Sequence, residues 1–248
     1  ATMGIKAYLF DSLRPTPELS YAVRFYHCAA GINITASHNP KIYNGYKVYW
    51  KEGSQIKSDI VDQILEEISK IDLLEEDNYL STSRAEELGL LITINQEVDE
   101  SFYEKTMSIS LREKEVDKNI GIVYTPLNGT GNIPVRTVLK RMGYTNVHVV
   151  KEQENPDGTF PTIDYPNPED HAAFALSEEL ALKVGADVLI ATDPDCDRLA
   201  VEVVHNGKIE ALNGNQVGVL IIDYLLKSMS EKNIIPRNGA IVKSIVTG

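Results

Sequence analysis

The chain has 248 residues, of which 43% are apolar and 24% charged, proportions that indicate one or two globular domains. Its formal net charge of −12 opposes binding to nucleic acid or to an anionic membrane, so we expect neither partner. No apolar run reaches the ~20 residues that span a bilayer, and residues 1–6 show no signal peptide. The two cysteines lie far apart in no metal-type pairing, which is typical of a reducing cytoplasm. The amino-acid sequence indicates no particular oligomeric state.

Short β-rich runs alternate with amphipathic helical patterns along the first half of the chain. Thr16 is the candidate cap of the first helix, because Pro17 suits the first helical position. The charge-rich stretch 112–118 predicts a domain boundary. Strands are predicted at about 6–10, 32–36, 46–50 and 90–94, and helices at about 17–28, 56–71 and 99–111.

The same alternation continues through the second half of the chain. Four prolines make the segment 154–168 a loop, and Asn206-Gly207 predicts the turn of a β-hairpin. Strands are predicted at about 119–124, 147–150, 188–191, 199–204 and 241–246, and helices at about 134–142, 169–184 and 214–229.

This order of elements predicts an α/β protein with two consecutive α/β domains and mixed, mainly parallel sheets. We place the first domain at 1–115, the second at 116–236 and the start of a third at 237–248. Because the last segment begins a fresh strand, we expect the chain to be cut where a further unit begins.

Three acidic residues at alternate positions follow the apolar run 188–191: Asp193, Asp195 and Asp197. In an extended loop such carboxylates project to one side and repel one another unless a cation lies between them. Oxygen ligands select Mg²⁺, Mn²⁺ or Ca²⁺, and α/β sheets place ligands at the carboxyl ends of parallel strands. An EF-hand is rejected because its sixth and twelfth positions hold Arg198 and Val204. An acidic surface turn remains the alternative.

Ser37 follows a predicted strand, and Asn39-Pro40 forces the loop that carries it to turn. We do not expect His38 to act as a triad base for Ser37, because adjacent side chains diverge, and no Gly-x-Ser-x-Gly elbow is present. A serine hydrolase is therefore a poor fit. Taken singly, Ser37 and His38 are ordinary turn residues, and Lys47 is a solvated strand lysine.

Together, these motifs resemble those of the α-D-phosphohexomutases, the phosphoglucomutase/phosphomannomutase superfamily. The segment 35–40, followed by 44–47, resembles the phosphoserine loop of that family, and 193–198 resembles its metal loop. The segments 126–131 and 166–169 also resemble the family. The fold that the resemblance implies is that of phosphoglucomutase domains 1 and 2.

The resemblance implies an intramolecular phosphotransferase that interconverts sugar 1-phosphate and sugar 6-phosphate through a phosphoserine and a bisphosphate intermediate. Ser37 then carries the phosphoryl group and, with the three aspartates, holds Mg²⁺. His38 and Lys47 are expected beside the reacting hydroxyl, and Arg198 near the phosphoserine. A phosphosugar is the implied substrate and a sugar 1,6-bisphosphate the implied activator. Residues 46–50 resemble the phosphoglucomutase/phosphopentomutase branch, so glucose is the expected sugar, with phosphomannomutase and phosphopentomutase as alternatives.

The chain departs from the family pattern at Asn128, where the family usually has His. Family enzymes also have four domains, whereas this chain resembles most of the first two, truncated at both ends. The alternative from another class is therefore a catalytically incomplete metal-binding fragment, and a phosphatase that uses the same aspartates is a further rival. The mutase hypothesis requires the Ser37 hydroxyl to lie within about 8 Å of the three carboxylates, because Mg²⁺–oxygen bonds are only ~2.1 Å long.

Overall fold

The structure, a computed structural model, describes residues 1–71, 79–112 and 115–243. The chain divides into two compact units. The first comprises Ala1–Thr35 and Tyr46–Phe102, and the second comprises Ala36–Gly45 and Tyr103–Gly248. The domain boundaries predicted at 115/116 and 236/237 stay predictions.

The first unit contains two pairs of strands. β1 (Ala7–Phe10) is parallel to β4 (Leu91–Ile94), and β2 (Ala30–Ile34) is antiparallel to β3 (Tyr46–Trp50). The helices that begin in this unit are α1 (Thr16–Phe25), α2 (Ser58–Ser69), α3 (Thr82–Glu87) and α4 (Gln96–Met107). Its buried apolar core is formed by Ala22, Ile94 and Val98, against which aromatic side chains of β1 and α1 pack.

The predicted strands and helices of this unit are present, with ends shifted by up to three or four residues. The short helix α3 was missed, although Ser81 caps it by accepting a hydrogen bond from the backbone N–H of Arg84. The predicted capping role of Thr16 is wrong. Pro15 precedes the first helical residue without a side-chain cap, and the Thr16 hydroxyl instead accepts a hydrogen bond of 2.5 Å from Asn33 Nδ2.

The second unit is built on one five-stranded sheet with the strand order β6-β5-β7-β8-β9. Its strands are β5 (Ile122–Thr125), β6 (Val147–Val149), β7 (Val188–Thr192), β8 (Leu199–His205) and β9 (Lys208–Leu212). Its helices are the end of α4, α5 (Asn132–Arg141), α6 (Ala175–Val184) and α7 (Gly214–Glu231), with short 3-10 turns at Lys151–Gln153 and His171–Phe174. β5 is parallel to both β6 and β7, whereas β7, β8 and β9 are successively antiparallel. The mixed α/β architecture and the predicted hairpin are thus present.

The central strand β5 shows why this sheet forms. All four of its residues are buried, as expected for a parallel strand covered on both faces. The apolar core beside it contains fully buried side chains of Val123, Leu189 and Phe174, with α6 packed against them. Since β5 and β7 are parallel neighbours, with Thr125 opposite Ala191, the loops that follow them leave the same edge of the sheet. That edge carries the candidate site.

The end of the chain is only partly covered by the structure. Half of the strand predicted at 241–246 lies outside the described residues, and 241–243 form no strand. Among the described residues, no helix combines the length and the apolar character that a bilayer span requires.

Candidate serine and metal site

The loop after β7, residues 193–198, is here called the acidic loop. Asp193 and Asp195 are buried and Asp197 is exposed. One carboxylate oxygen from each lies within 4.8 Å of the others, and among the described residues this is the one cluster of potential metal ligands of its size. Such an all-oxygen donor set is the kind that hard divalent cations prefer.

Asp193 is the centre of the acidic loop. Its Oδ1 accepts hydrogen bonds from the backbone N–H groups of Asp197, at 3.1 Å, and Arg198, at 2.9 Å. Burial, together with the neighbouring Asp195 carboxyl, raises the pKa of Asp193 to about 7. Holding these carboxylates together without a counter-charge is therefore unfavourable, and a divalent cation would relieve the cost. The donor set thus fits Mg²⁺, the ion expected from the sequence.

Cys196 lies between the acids and has the role of a small packed side chain. Its φ of +56° lets the acidic loop turn back on itself. Burial raises the pKa of its thiol to about 12, so the thiol stays protonated and unreactive at neutral pH.

The Gly-rich turn, residues 126–131 after β5, supports the acidic loop from one side. The backbone N–H and the hydroxyl of Thr130 both donate to the carbonyl oxygen of Pro194, at 2.8 and 3.0 Å. At Gly129 the backbone of the Gly-rich turn lies against the backbone of the acidic loop, and a Cβ added there would lie 2.3 Å from Pro194 Cα. Only glycine fits this approach. The close approach at Gly129 therefore gives a structural reason why the sequence of this turn resembles that of the α-D-phosphohexomutases.

The serine loop, residues 36–45, belongs to the second unit and brings Ser37 to the acidic loop. The Ser37 hydroxyl donates a 3.0 Å hydrogen bond to Asp193 Oδ2. This distance is far inside the limit of about 8 Å that the mutase hypothesis sets. Ser37 has a φ of +53°, in the left-handed region that non-glycine residues rarely adopt and that is concentrated at functional sites.

His38 also lies beside the Ser37 hydroxyl, with Nδ1 3.2 Å from Oγ. The argument from the sequence that these adjacent side chains diverge is wrong. The left-handed backbone at Ser37 changes the direction of the chain, so the two side chains converge. The structure therefore brings together the serine, its neighbouring histidine and the acidic loop.

Two further residues, Arg198 and Lys47, were predicted for the site. Arg198 lies at the end of the acidic loop with an exposed side chain. Lys47 belongs to the first unit, on β3 opposite Asn33, and is half-buried. The roles expected for both residues stay predictions.

The Pro-rich segment, residues 154–168, contacts the serine loop, whereas the sequence predicts it only as a loop. Lys41 Nζ donates to the carbonyl oxygen of Thr159 at 3.3 Å. The rings of His38 and Tyr165 pack edge to face, with centroids 5.9 Å apart and planes at 70°. The sequence signal that could have pointed here was Tyr165 itself, directly before the 166–169 motif.

The matches to known protein families cover both units. The model of phosphoglucomutase/phosphomannomutase α/β/α domain I matches residues 1–75, and that of domain II matches residues 100–207. The chain belongs to the phosphoglucomutase/phosphomannomutase family. Its N-terminal region thus corresponds to domain I and its later region to domain II of this family.

Curated relatives of the phosphoglucomutase/phosphomannomutase family agree with this assignment. A phosphoglucomutase of Staphylococcus epidermidis is 39% identical over 249 residues, which cover 100% of this chain and 44% of that protein. A protein of Haemophilus influenzae named probable phosphomannomutase is 39% identical over 242 residues, covering 94% of this chain and 47% of that protein. The chain therefore spans less than half the length of these relatives.

Solved structures of this family share the fold. A Thermus thermophilus protein assigned as a phosphomannomutase has a TM-score of 0.73 at 25% identity, covering 92% of this chain and 48% of that one. A phosphoglucomutase/phosphomannomutase family protein from Burkholderia thailandensis has a TM-score of 0.63 at 19% identity, covering 89% of this chain and 44% of that one. Two consecutive α/β domains of this family are thus the architecture of the chain.

Proposed function

We propose that this chain provides the phosphoserine and the Mg²⁺ site of a phosphohexomutase that interconverts sugar 1-phosphate and sugar 6-phosphate, with glucose as the sugar. The observation that carries the proposal is the 3.0 Å hydrogen bond between Ser37 and Asp193, which are 156 positions apart in the sequence. A phosphoryl group on Ser37 adds strong acceptor oxygens beside three clustered carboxylates, and such a set of oxygens requires a hard cation.

In this proposal Asp193, Asp195, Asp197 and a phosphate oxygen on Ser37 hold Mg²⁺. When bound, the ion neutralises charge on the phosphoryl oxygens, which is the main catalytic requirement of phosphoryl transfer. An N-acetylphosphoglucosamine mutase of Aspergillus fumigatus has been solved with GlcNAc-6P and magnesium; it shares the fold of this chain with a TM-score of 0.52 at 14% identity.

The proposed reaction consists of two phosphoryl transfers, one from Ser37 to the sugar phosphate and one from the bisphosphate back to Ser37. First, the free hydroxyl of the sugar phosphate attacks phosphoserine phosphorus, so the bond from Ser37 Oγ to phosphorus breaks as the new bond forms. The proton of the sugar hydroxyl passes to Lys47 as general base, and the Ser37 oxygen takes up a proton from solvent water as it leaves phosphorus. The bisphosphate then turns around and returns its other phosphoryl group to Ser37. Lys47, His38 and Arg198 lend polar or cationic support to the transferring group, and a sugar 1,6-bisphosphate keeps Ser37 phosphorylated.

The carrier role is tested with Ser37→Ala in the full-length protein. Mutase activity should fall by several orders of magnitude, because no hydroxyl remains to accept the phosphoryl group. Ser230→Ala, at an exposed position on α7, is the matched control and should keep wild-type activity. Activity of Ser37→Ala within tenfold of wild type would refute the carrier role.

The metal role is tested separately with Asp195→Asn, which keeps the shape of the side chain and removes its charge. Calorimetry of the 248-residue chain should show Mg²⁺ affinity reduced by roughly tenfold or more, because one of three hard ligands is lost. Asp164→Asn, at an exposed position outside the acidic loop, should bind as wild type does. Equal Mg²⁺ affinity in Asp195→Asn and wild type contradicts the metal assignment.

The identity of the sugar is the finer part of the proposal. A coupled assay with glucose 1-phosphate, mannose 1-phosphate and ribose 1-phosphate, each with a trace of the corresponding bisphosphate, distinguishes phosphoglucomutase from phosphomannomutase and phosphopentomutase. Release of free phosphate instead of an isomer would indicate a phosphatase. A catalytically incomplete metal-binding protein would lack the mass increase of about 80 Da that one phosphate on Ser37 adds. Cytoplasmic location and the absence of nucleic-acid and membrane partners stay predictions.

A further inference from the structure

The Pro-rich segment has no regular structure, yet polar side chains anchor it at several points. Buried Asn128 donates from Nδ2 to the backbone carbonyl oxygen of Asn155 at 2.9 Å, and the backbone carbonyl oxygen of Asn128 accepts from the N–H of Asp157 at 3.1 Å. Buried Gln153 donates from Nε2 to the Thr162 hydroxyl at 3.0 Å. These bonds fix the segment to the sheet of the second unit, so it can serve as a rigid support.

Gln153 is itself held by the central strand. Its Oε1 accepts a 2.7 Å hydrogen bond from the Thr125 hydroxyl, at the last residue of β5. Both side chains are completely buried or nearly so, at 1% and 0% exposure. Gln153 therefore connects the edge of the sheet that carries the acidic loop to the Pro-rich segment, which contacts the serine loop.

Tyr165 is the side chain through which this support reaches the catalytic serine. Its ring packs edge to face on His38, and His38 Nδ1 lies 3.2 Å from Ser37 Oγ. Ser37 is held in a left-handed backbone conformation, which persists only where the surroundings enforce it. An edge-to-face aromatic contact shifts a conformational equilibrium by a factor of about two to ten, which is enough to bias the orientation of a single ring.

We propose that Tyr165 is a positioning residue for phosphoryl transfer, acting on Ser37 by fixing the orientation of the His38 ring. The proposal rests on the proposed function, in which Ser37 carries the phosphoryl group. The contact depends on the aromatic ring and not on the phenol hydroxyl. Tyr165→Phe should therefore retain the function, and Tyr165→Leu should lose it.

Kinetics of the full-length protein test the proposal first. Tyr165→Leu should lower kcat by about three- to tenfold and leave KM within twofold, because Tyr165 is proposed to act through the His38 ring and not on the substrate. Tyr165→Phe should restore kcat to within twofold of wild type. In a His38→Asn background, Tyr165→Leu should have no further effect on kcat, because Tyr165 acts only through the His38 ring. Full activity of Tyr165→Leu, or an equal effect in the His38→Asn background, overturns the proposal.

NMR of the 248-residue chain tests the contact independently of activity. The ring-proton resonances of His38 should move in Tyr165→Leu and stay near their wild-type positions in Tyr165→Phe and in the control Tyr79→Leu, at an exposed tyrosine of the first unit. Unmoved His38 resonances in a folded Tyr165→Leu overturn the proposal. If Tyr165→Leu does not fold, the comparison is made with Tyr165→Met, for which the same results are expected. An active Ser37→Ala would refute the proposed function, whereas an inactive Ser37→Ala beside a fully active Tyr165→Leu would refute only the positioning role.

Discussion

At Gly129 the Gly-rich turn lies directly against the acidic loop, and Gly129→Ala tests whether that approach shapes the proposed metal site. A Cβ at this position would lie 2.3 Å from Pro194 Cα and 2.5 Å from its carbonyl oxygen. Ordinary contacts begin near 3.4 Å, so one backbone must move by about 1 Å. The obstacle is main chain and cannot rotate away. Since φ of Gly129 is not positive, the perturbation is steric and not conformational.

The expected cost follows from this displacement. Overpacking of a well-filled site typically destabilises by about 1–3 kcal/mol, and a backbone obstacle places Gly129→Ala at the upper end of that range. A shift of about 1 Å also exceeds what near-ideal octahedral Mg²⁺ coordination tolerates, since its bonds are only ~2.1 Å long. We therefore expect the free energy of unfolding to fall by about 3 kcal/mol and Mg²⁺ affinity by roughly tenfold or more.

Urea unfolding of the 248-residue chain and calorimetric Mg²⁺ titration measure the two effects. The matched control is Gly158→Ala, because a Cβ at Gly158 meets no atom within 4 Å and its φ is also not positive. This control should be indistinguishable from wild type in both measurements. If Gly129→Ala matched the control in both stability and Mg²⁺ affinity, the Gly-rich turn would not be holding the acidic loop in place.

Three further predictions concern stability. Burial and the neighbouring Asp99 carboxyl raise the pKa of Glu18 from 4.5 to about 8. The contribution of protonated Glu18 to the free energy of unfolding is therefore complete below pH 4.5 and is lost as pH rises through 8, by up to about 5 kcal/mol. Glu18→Gln should abolish this part of the pH dependence, which thermal unfolding between pH 5 and 9 measures; an unchanged slope would show that Glu18 ionises normally. Leu189→Ala, at a fully buried core position, should lower the free energy of unfolding in urea by about 2–5 kcal/mol. Leu182→Ala, at an exposed position, should lower it far less. Equal losses of stability in the two variants would contradict the assigned core. Asn213→Ala removes the capping box of α7 and should cost about 1 kcal/mol by the same method, and an unchanged stability would show that the cap is dispensable.

Local patterns in the sequence predicted most elements of the fold. Apolar periodicity located the strands and long helices because backbone geometry sets the spacing of buried side chains. The buried run of β5 is an example, and the turn residues Asn206-Gly207 located the hairpin after β7. Thr16 shows the limit of such reasoning, since Pro15 holds the position predicted for it at the start of the helix and its hydroxyl accepts a hydrogen bond from Asn33 in a strand. The hydrogen-bond partners of a side chain depend on which residues the fold brings close to it, and a local sequence pattern does not contain this information.

For the candidate site, the sequence alone determined which residues are proposed to carry the chemistry, because their resemblance to a known family is a property of the motifs themselves. Only the tertiary structure decided how they meet. It joins Ser37 to Asp193 across 156 positions, turns His38 toward Ser37 through a left-handed backbone, and adds Tyr165, which no motif identified. The physical reason is that sequence sets donors, charges and ring types, whereas distances and ring orientations follow from the packing of loops at one edge of a sheet.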